Sequence, residues 1–322
     1  MAELRYNPFR NDWVMVASAR QNRPQMPKDW CPFCPGSGRV PDDYDVLKYD
    51  NDFPALSMDP PEPDDAGPDF FLTEKSYGKC EVILYSPEHN ATLPRLSVSH
   101  IRKLVDLWCL RFDELSRYEK AKYIMIFENR GEVVGVTMPH PHGQIYAYPY
   151  IPKKVEQKLA SAERYFNKTG RCLFCDWHWA EQKFGSRIIF EDEHFSVIIP
   201  FFADFAYQTQ IISKKHINFI TELSDEEKTS LADTLRSTVG MYDSLFDMTF
   251  PYMMCMYNAP VEDSGSFHFH IEFFPPMRSK EKQQFLASSE TGAGAHCNPT
   301  APEEKAVELR EAYRKYTAES RE

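Results

Sequence analysis

Apolar and polar positions alternate along this chain with two different periods. From Ser97 onward, Ile101, Leu104, Val105, Trp108, Leu110 and Leu115 recur near helical spacing. A second helix opens at Ser224 with Glu227 three positions on, a capping box whose side chains satisfy the first unpaired amides. It continues through Leu231, Leu235, Val239 and Met241. Each helix is followed by a β-rich stretch, 123–131 and 251–260, and then by a strand carrying His-x-His. Residues 267–273 alternate strictly, with His268, His270 and Glu272 on one face and apolar residues on the other. Residues 153–170 read as a polar connecting helix, 56–69 as a Pro/Asp-rich exposed loop, and 302–320 as a charged terminal helix.

The order of landmarks repeats. Cys31-x-x-Cys34 precedes a lone His89, a helix, a strand and His140-Pro141-His142. Cys172-x-x-Cys175 precedes His216, a helix, a strand and His268-Phe269-His270. The interval from lone to paired histidine is 140 − 89 = 51 residues in one half and 268 − 216 = 52 in the other. Such agreement marks a duplicated unit. The fold class expected is α+β: two copies of an antiparallel sheet packed by helices, over 1–160 and 161–322.

At 322 residues the chain is long enough for two such domains, and 26% charged residues place it among soluble globular proteins. A net charge of 37 − 48 = −11 argues against a nucleic-acid partner. No apolar run approaches the ~20 residues that cross a bilayer, so no membrane partner is expected. The N-terminus shows no basic-then-apolar leader, so the expected location is the cytoplasm. In a reducing compartment the two Cys-x-x-Cys pairs read as metal knuckles rather than disulfides. His100, His178 and His194 fit no such pattern and are expected at the surface.

Zinc takes about four Cys or His ligands in a tetrahedron. The first half offers Cys31, Cys34, His89 and His140; the second offers Cys172, Cys175, His216 and His268. Either set would fill the coordination sphere, so both are expected to be structural, the first holding zinc and the second a candidate for another ion. His142 shares a face with His140 and would be held rigidly beside it. A neutral imidazole needs no base to attack phosphorus, and a bond from its other ring nitrogen to a backbone carbonyl would set the tautomer. Gly143 allows close backbone approach, and Gln144 can donate to a phosphate oxygen as charge builds.

The stretch MPHPHGQIYAYPY (138–150), with CPFC (31–34), NDFPAL (51–56), EVILYSPEHNATLP (81–94) and FENRGEVVGVT (127–137), resembles the galactose-1-phosphate uridylyltransferases. These are duplicated histidine-triad proteins, and the resemblance runs from Arg5 to the ETGAGA (290–295) and PEEKA (302–306) segments. It implies a double displacement in which His142 takes UMP from UDP-glucose, expelling glucose 1-phosphate, and passes it to galactose 1-phosphate. It further implies that Arg20 and Arg23 contact phosphates and that Asn51, Asp52 and Phe53 line the nucleoside pocket. Asn129, Thr137 and Gln144 would surround the α-phosphate. Residues 284–296, including Gln284 and Glu290, would reach the sugar in the neighbouring subunit of a homodimer.

Family members often carry a second metal site of one glutamate and three histidines. The matching positions here are Lys158, Tyr257, His270 and Glu272, so that site is expected to be lost. Gln284, Ser289 and the His296-Cys297 pair also depart from the family pattern, which leaves a modified hexose 1-phosphate as an alternative acceptor. Two rival functions remain: a nucleotide-sugar phosphorylase or related hydrolase on the same frame, and a zinc-stabilised nucleotide-binding protein without chemistry.

Overall fold

The computed structural model describes residues 2–22, 30–262 and 265–320. A small antiparallel sheet is formed by β1 (Ala2–Asn7), β2 (Asp12–Ala17) and β4 (Thr73–Lys75), in the order β2-β1-β4. The rest of the first half comprises β3 (Leu47–Asp50), β5 (Lys79–Leu84), helix α1 (Val98–Ser116), β6 (Tyr123–Arg130) and β7 (His142–Tyr148). Helix α2 (Lys153–Thr169) connects to α3 (Leu173–Phe184), then β8 (Ile188–Glu191), β9 (Phe195–Ile198) and β10 (Thr209–Ser213). The second half continues with α4 (Asp225–Phe246), β11 (Tyr252–Tyr257) and β12 (His270–Phe274). A hairpin of β13 (Met277–Ser279) and β14 (Lys282–Gln283) and the terminal α5 (Pro302–Glu319) complete the chain.

The two copies of the antiparallel sheet join into one continuous sheet. Nine strands run β3-β5-β7-β6-β11-β12-β10-β9-β8, every neighbouring pair antiparallel. The halves mirror one another across the central β6–β11 seam, with β7 answering β12, β5 answering β10 and β3 answering β9. The seam register sets Met254 against Glu128 and Met256 against Ile126.

Both long helices cover one side of this sheet and contribute to a single core spanning the two halves. Helix α1 buries Ile101, Leu104, Val105, Trp108 and Leu115 as its spacing predicts, whereas Leu110 lies on the outer face and is exposed. Ser97 caps α1 by accepting from the His100 amide, and Ser224 with Glu227 forms the expected capping box on α4. Gly240 of α4 lets α5 cross closely, since a Cβ there would overlap the Tyr316 ring.

Only the second histidine of each His-x-His motif lies within its strand. His140 and His268 precede their strands, which begin at His142 and His270. Pro139 and Pro141 flank His140 and cannot donate to a strand ladder, which delays the start of β7. His178 is buried, against the surface expectation, with its Nε2 2.9 Å from the Ser196 hydroxyl. His100 and His194 are half-buried, and His100 Nε2–H donates to the Tyr85 carbonyl at 2.7 Å.

Candidate active site

The first Cys/His set converges as expected. Cys31, Cys34, His89 and His140 bring one ligand atom each within 4.8 Å of one another. Cys34 Sγ lies 3.4 Å from His89 Nδ1, and Cys31 and Cys34 each lie 3.6 Å from His140 Nδ1. Metal–sulfur and metal–nitrogen bonds of zinc length at tetrahedral angles would set sulfur and nitrogen roughly 3.5 Å apart. The donor set therefore fits a small tetrahedral cation. His140 Nε2–H donates to the Ser86 carbonyl at 2.8 Å, which leaves the Nδ1 lone pair facing the thiols. Burial pushes His140 down to about 4, keeping the ring neutral as a ligand must be. Burial and the neighbouring Cys31 raise the Cys34 thiol to about 11, so a cation would displace protons on entering.

The second set repeats this construction. Cys172, Cys175, His216 and His268 gather just as closely. Cys175 Sγ lies 3.4 Å from His216 Nδ1 and 3.3 Å from His268 Nδ1. His268 Nε2–H donates to the Ser213 carbonyl at 2.9 Å, the counterpart of His140 on Ser86. Two Cys₂His₂ clusters, one per half, can each hold a metal ion.

His142, at the start of β7, lies at the meeting of two clefts. Its Nδ1–H donates to the His140 carbonyl at 2.8 Å, which places the lone pair on Nε2. The first cleft is lined by Asn51, Asp52, Phe53, Thr137, His142 and Gln144, all expected, together with Phe33, Tyr49, Val82 and Met138. Phe33, the aromatic between the paired cysteines, contacts both His140 and His142. The second cleft is lined by Asn129, Glu128, Tyr85, Thr92, Thr249 and again His142.

Local structure accounts for the first cleft's shape. Asn51 accepts from the Phe53 amide at 2.9 Å, a tight Asx turn after β3. Arg20 donates to the Phe53 carbonyl (3.3 Å) and the Tyr146 hydroxyl (3.1 Å), so it packs behind this turn. Asp52 accepts from Arg39 at 2.6 Å and from Tyr49 at 3.0 Å. Arg39 and Tyr49 carry no motif, and sequence reasoning missed them. Arg23 lies outside the described residues. Gln284 and Glu290 do not line either cleft in the single chain. Gln284 instead binds the Asp204 carbonyl (2.7 Å), and Glu290 accepts from the Ala287 amide (3.0 Å).

In the second half the corresponding histidine is closed off. His270 Nδ1–H donates to the His268 carbonyl at 2.8 Å, the same bond made by His142. Its ring, however, is fully buried, stacked on Tyr257, and its Nε2 accepts from Lys158 Nζ at 2.9 Å. Lys158 also binds Glu272 at 2.7 Å and lies 3.4 Å from the centre of the Tyr257 ring. The four residues matched to a second metal site thus come together around an ammonium group. Burial raises Glu272, but Lys158 and His270 outweigh it and bring the carboxyl down to about 2.

A continuous sheet from two equivalent halves, each with a Cys₂His₂ cluster and a carbonyl-bound histidine, defines a duplicated histidine-motif protein in which, of the two carbonyl-bound histidines, His142 lines a cleft and His270 is buried. Residues 1–152 match the family model described as the galactose-1-phosphate uridyl transferase N-terminal domain, and 158–317 match its C-terminal domain. The chain belongs to the galactose-1-phosphate uridyl transferase family. It is 43% identical over 317 residues to a galactose-1-phosphate uridylyltransferase of Thermotoga maritima, covering 97% of this chain and 98% of that one. A solved uridylyltransferase structure superposes with TM-score 0.89 at 29% identity, covering 97% and 99% of the two chains. An ADP-glucose phosphorylase from Arabidopsis thaliana, solved with ADP-glucose bound, superposes at TM-score 0.75 and 25% identity, covering 97% and 98%.

Proposed function

We propose that this protein transfers UMP from UDP-glucose to a hexose 1-phosphate, with galactose 1-phosphate the acceptor, through a covalent uridylyl-His142 intermediate. The observation that carries this reading is the Nδ1–H bond of His142 to the His140 carbonyl, at a residue lining both clefts. That bond directs the Nε2 lone pair to phosphorus without a general base. Attack forms an Nε2–P bond and breaks the bond to the β-phosphate oxygen, releasing glucose 1-phosphate. The incoming hexose 1-phosphate then attacks the same phosphorus and restores the neutral ring. Both leaving and entering groups are phosphates, so positioning and charge stabilisation supply the rate.

In this reading Asn51, Asp52 and Phe53 hold the nucleoside in the first cleft, with Arg20 behind them and Arg23 contributing to the phosphates. Asn129, Thr137 and Gln144 surround the α-phosphate, Gln144 donating as charge builds. The second cleft takes the leaving and entering sugar phosphates. Gln284 and Glu290 would complete the sugar site across a homodimer, acting from the neighbouring subunit. Residues 1–160 form the catalytic domain and 161–322 its duplicate, and the protein works in the cytoplasm. Zinc is the ion best suited to both Cys₂His₂ clusters. Four protein ligands leave no open position, so its contribution is folding energy and the fixing of His140.

Intact mass after mixing with UDP-glucose alone tests the reading. The wild type should gain one UMP and His142→Ala none, and a hexose 1-phosphate should discharge the adduct. An unmodified wild type, with the donor intact, would sink it. The likeness to an ADP-glucose phosphorylase supports a second reading, a nucleotide-sugar phosphorylase. Discharge of the adduct by inorganic phosphate in place of sugar phosphate would select that one.

A further inference from the structure

Arg39, Tyr49 and Asp52 form a bonded set at the first cleft, and the uridylyl transfer proposed above leaves Arg39 and Tyr49 without a role. Tyr49 lies on β3, where the register pairs it with Val82 of β5, and both residues line the cleft. Asp52 follows in the Asx turn and lines the same cleft. Arg39 reaches them from the loop that follows the Cys31–Cys34 knuckle. That loop is held by its own bonds. The Ser37 amide donates to the Cys34 carbonyl (3.2 Å), the Ser37 hydroxyl to the Pro32 carbonyl (2.9 Å) and the Arg39 amide to the Ser37 hydroxyl (3.2 Å). Gly36 and Gly38 take φ values of +81° and +72°, a left-handed backbone that side chains resist.

The donors fix the order of bonding within the set. Arg39 Nε and Nη2 both donate to the Tyr49 hydroxyl, at 3.2 and 2.7 Å. Those bonds fill the acceptor positions of the hydroxyl oxygen, so its one proton goes to Asp52, whose oxygens lie 3.0 and 3.1 Å away. Arg39 Nη2 also donates to Asp52 Oδ1 at 2.6 Å. A carboxylate offers about four acceptor positions, so these donors leave Asp52 able to take further hydroxyl protons in the cleft. The Tyr49 ring packs edge-on against Phe33, whose ring in turn contacts His142, with centroids 5.4 and 5.9 Å apart. Arg39 and Asp52 are each nearly half exposed, and an ion pair so exposed adds little to folding. The effect of the set is to hold one carboxylate still in the cleft wall.

We propose that Arg39, with Tyr49 as its relay, is a positioning residue for Asp52 in nucleotide binding. This rests on the reading that the first cleft takes the nucleoside of UDP-glucose. Pinned by Arg39 and Tyr49, Asp52 presents fixed acceptors to the hydroxyls of the nucleoside. Released, it has to be ordered again at each binding event, and that ordering costs affinity. Among the described residues the cleft wall includes Tyr49 and Asp52 but not Arg39, so Arg39 acts through them.

The test is a double-mutant cycle on equilibrium binding, with UDP and uridine titrated into wild type, Arg39→Ala, Asp52→Asn and the double variant. Arg39→Ala should weaken UDP about tenfold, the scale of one hydrogen bond to a charged group. On the Asp52→Asn background the same change should cost less than about twofold, because the group it positions is already gone. The loss should persist with uridine, which carries no phosphate. Equal losses on the two backgrounds, or a loss confined to UDP, would mean that Arg39 attracts the diphosphate directly, and either result overturns the proposal. Arg39→Ala binding as tightly as wild type overturns it too. Tyr49→Phe keeps the ring on Phe33 but removes the relay, and should reproduce most of the loss. This arm decides if thermal melting shows Arg39→Ala to be unfolded, and an unchanged affinity in it overturns the relay. Arg39→Lys, which keeps the charge but not the fork, should fall between wild type and Arg39→Ala. Binding is read without turnover, so the outcome does not depend on the uridylyl-histidine step. A wild type that binds neither UDP nor uridine instead overturns the nucleoside reading of the cleft, and the positioning role falls with it.

Discussion

Gly143 and Glu128 set the tolerances of the strand that begins at His142. Gly143→Ala would drive a methyl group into the Tyr85 hydroxyl and the Phe127 carbonyl. Overpacking of this kind costs about 1–3 kcal/mol, so the variant should melt lower and lose transfer activity. Tyr85→Phe removes the overlapping oxygen, and the double variant should recover part of the loss; a double variant no better than Gly143→Ala would refute the steric account. Glu128 makes a separate demand on stability. Burial lifts its carboxyl from the ordinary 4.5 to about 7, so the folded state holds its proton more tightly than the unfolded chain does. Stability is therefore lost as pH rises from about 4.5 to 7, by on the order of 3 kcal/mol. Glu128→Gln should gain on the wild type in thermal melts across that window. A difference in Tm that stays constant with pH would show that the carboxyl is not titrating there.

Among the elements, the two Cys₂His₂ clusters fasten what the strands alone do not. The first ties the 31–34 knuckle to His89 beyond β5 and to His140 before β7. The second ties the start of α3 to the ends of β10 and β12 in the same manner. Because metal binding energy is folding energy, a strong chelator should lower the melting temperature, and elemental analysis should find two ions per chain. One ion per chain, lost together with a single cluster's cysteines, would limit the claim to that cluster. Lys158 performs the corresponding service within the second half. Lys158→Met strands the buried Glu272 carboxylate without its cation, and breaking such a pair costs about 3–5 kcal/mol. Adding Glu272→Gln should restore much of that, measured by denaturant unfolding.

These elements also show where sequence was sufficient. The helices, both clusters and the place of His142 follow from periodicity, ligand spacing and a repeat, all of which are local or nearly so. His178 escaped because its partner, Ser196, is on another element, and a lone histidine on a helix carries no trace of one. Tyr85, Glu128 and Arg39 escaped for the same reason: their significance depends on strand register and on side chains far along the chain. Gln284 and Glu290 were placed by resemblance in a segment reaching the neighbouring subunit, and within the single chain they bind the Asp204 carbonyl and the Ala287 amide.

For the molecule as a whole, the fusion of two expected sheets into one has thermodynamic weight. Helices α1 and α4 share a core with strands of both halves, and Arg130 of the first half is bound to Asp243 of the second. Unfolding either half would expose the other's seam. Calorimetry should therefore give one transition with equal van't Hoff and calorimetric enthalpies. Two resolved transitions would mean that the halves fold independently.

The β6–β11 seam has one more consequence. Two separate copies of such a half could build the same sheet only by meeting in solution, at a rate and affinity set by concentration. Covalent linkage replaces that encounter with an effective concentration in the millimolar range, so the pairing survives any dilution. It also frees the partners from being identical. A symmetric pair must present the same histidine twice, and any change to one is a change to both. Here one position can stay open to a cleft while its twin is filled with a lysine, a tyrosine and a glutamate, so the two copies of the histidine no longer have to serve the same end.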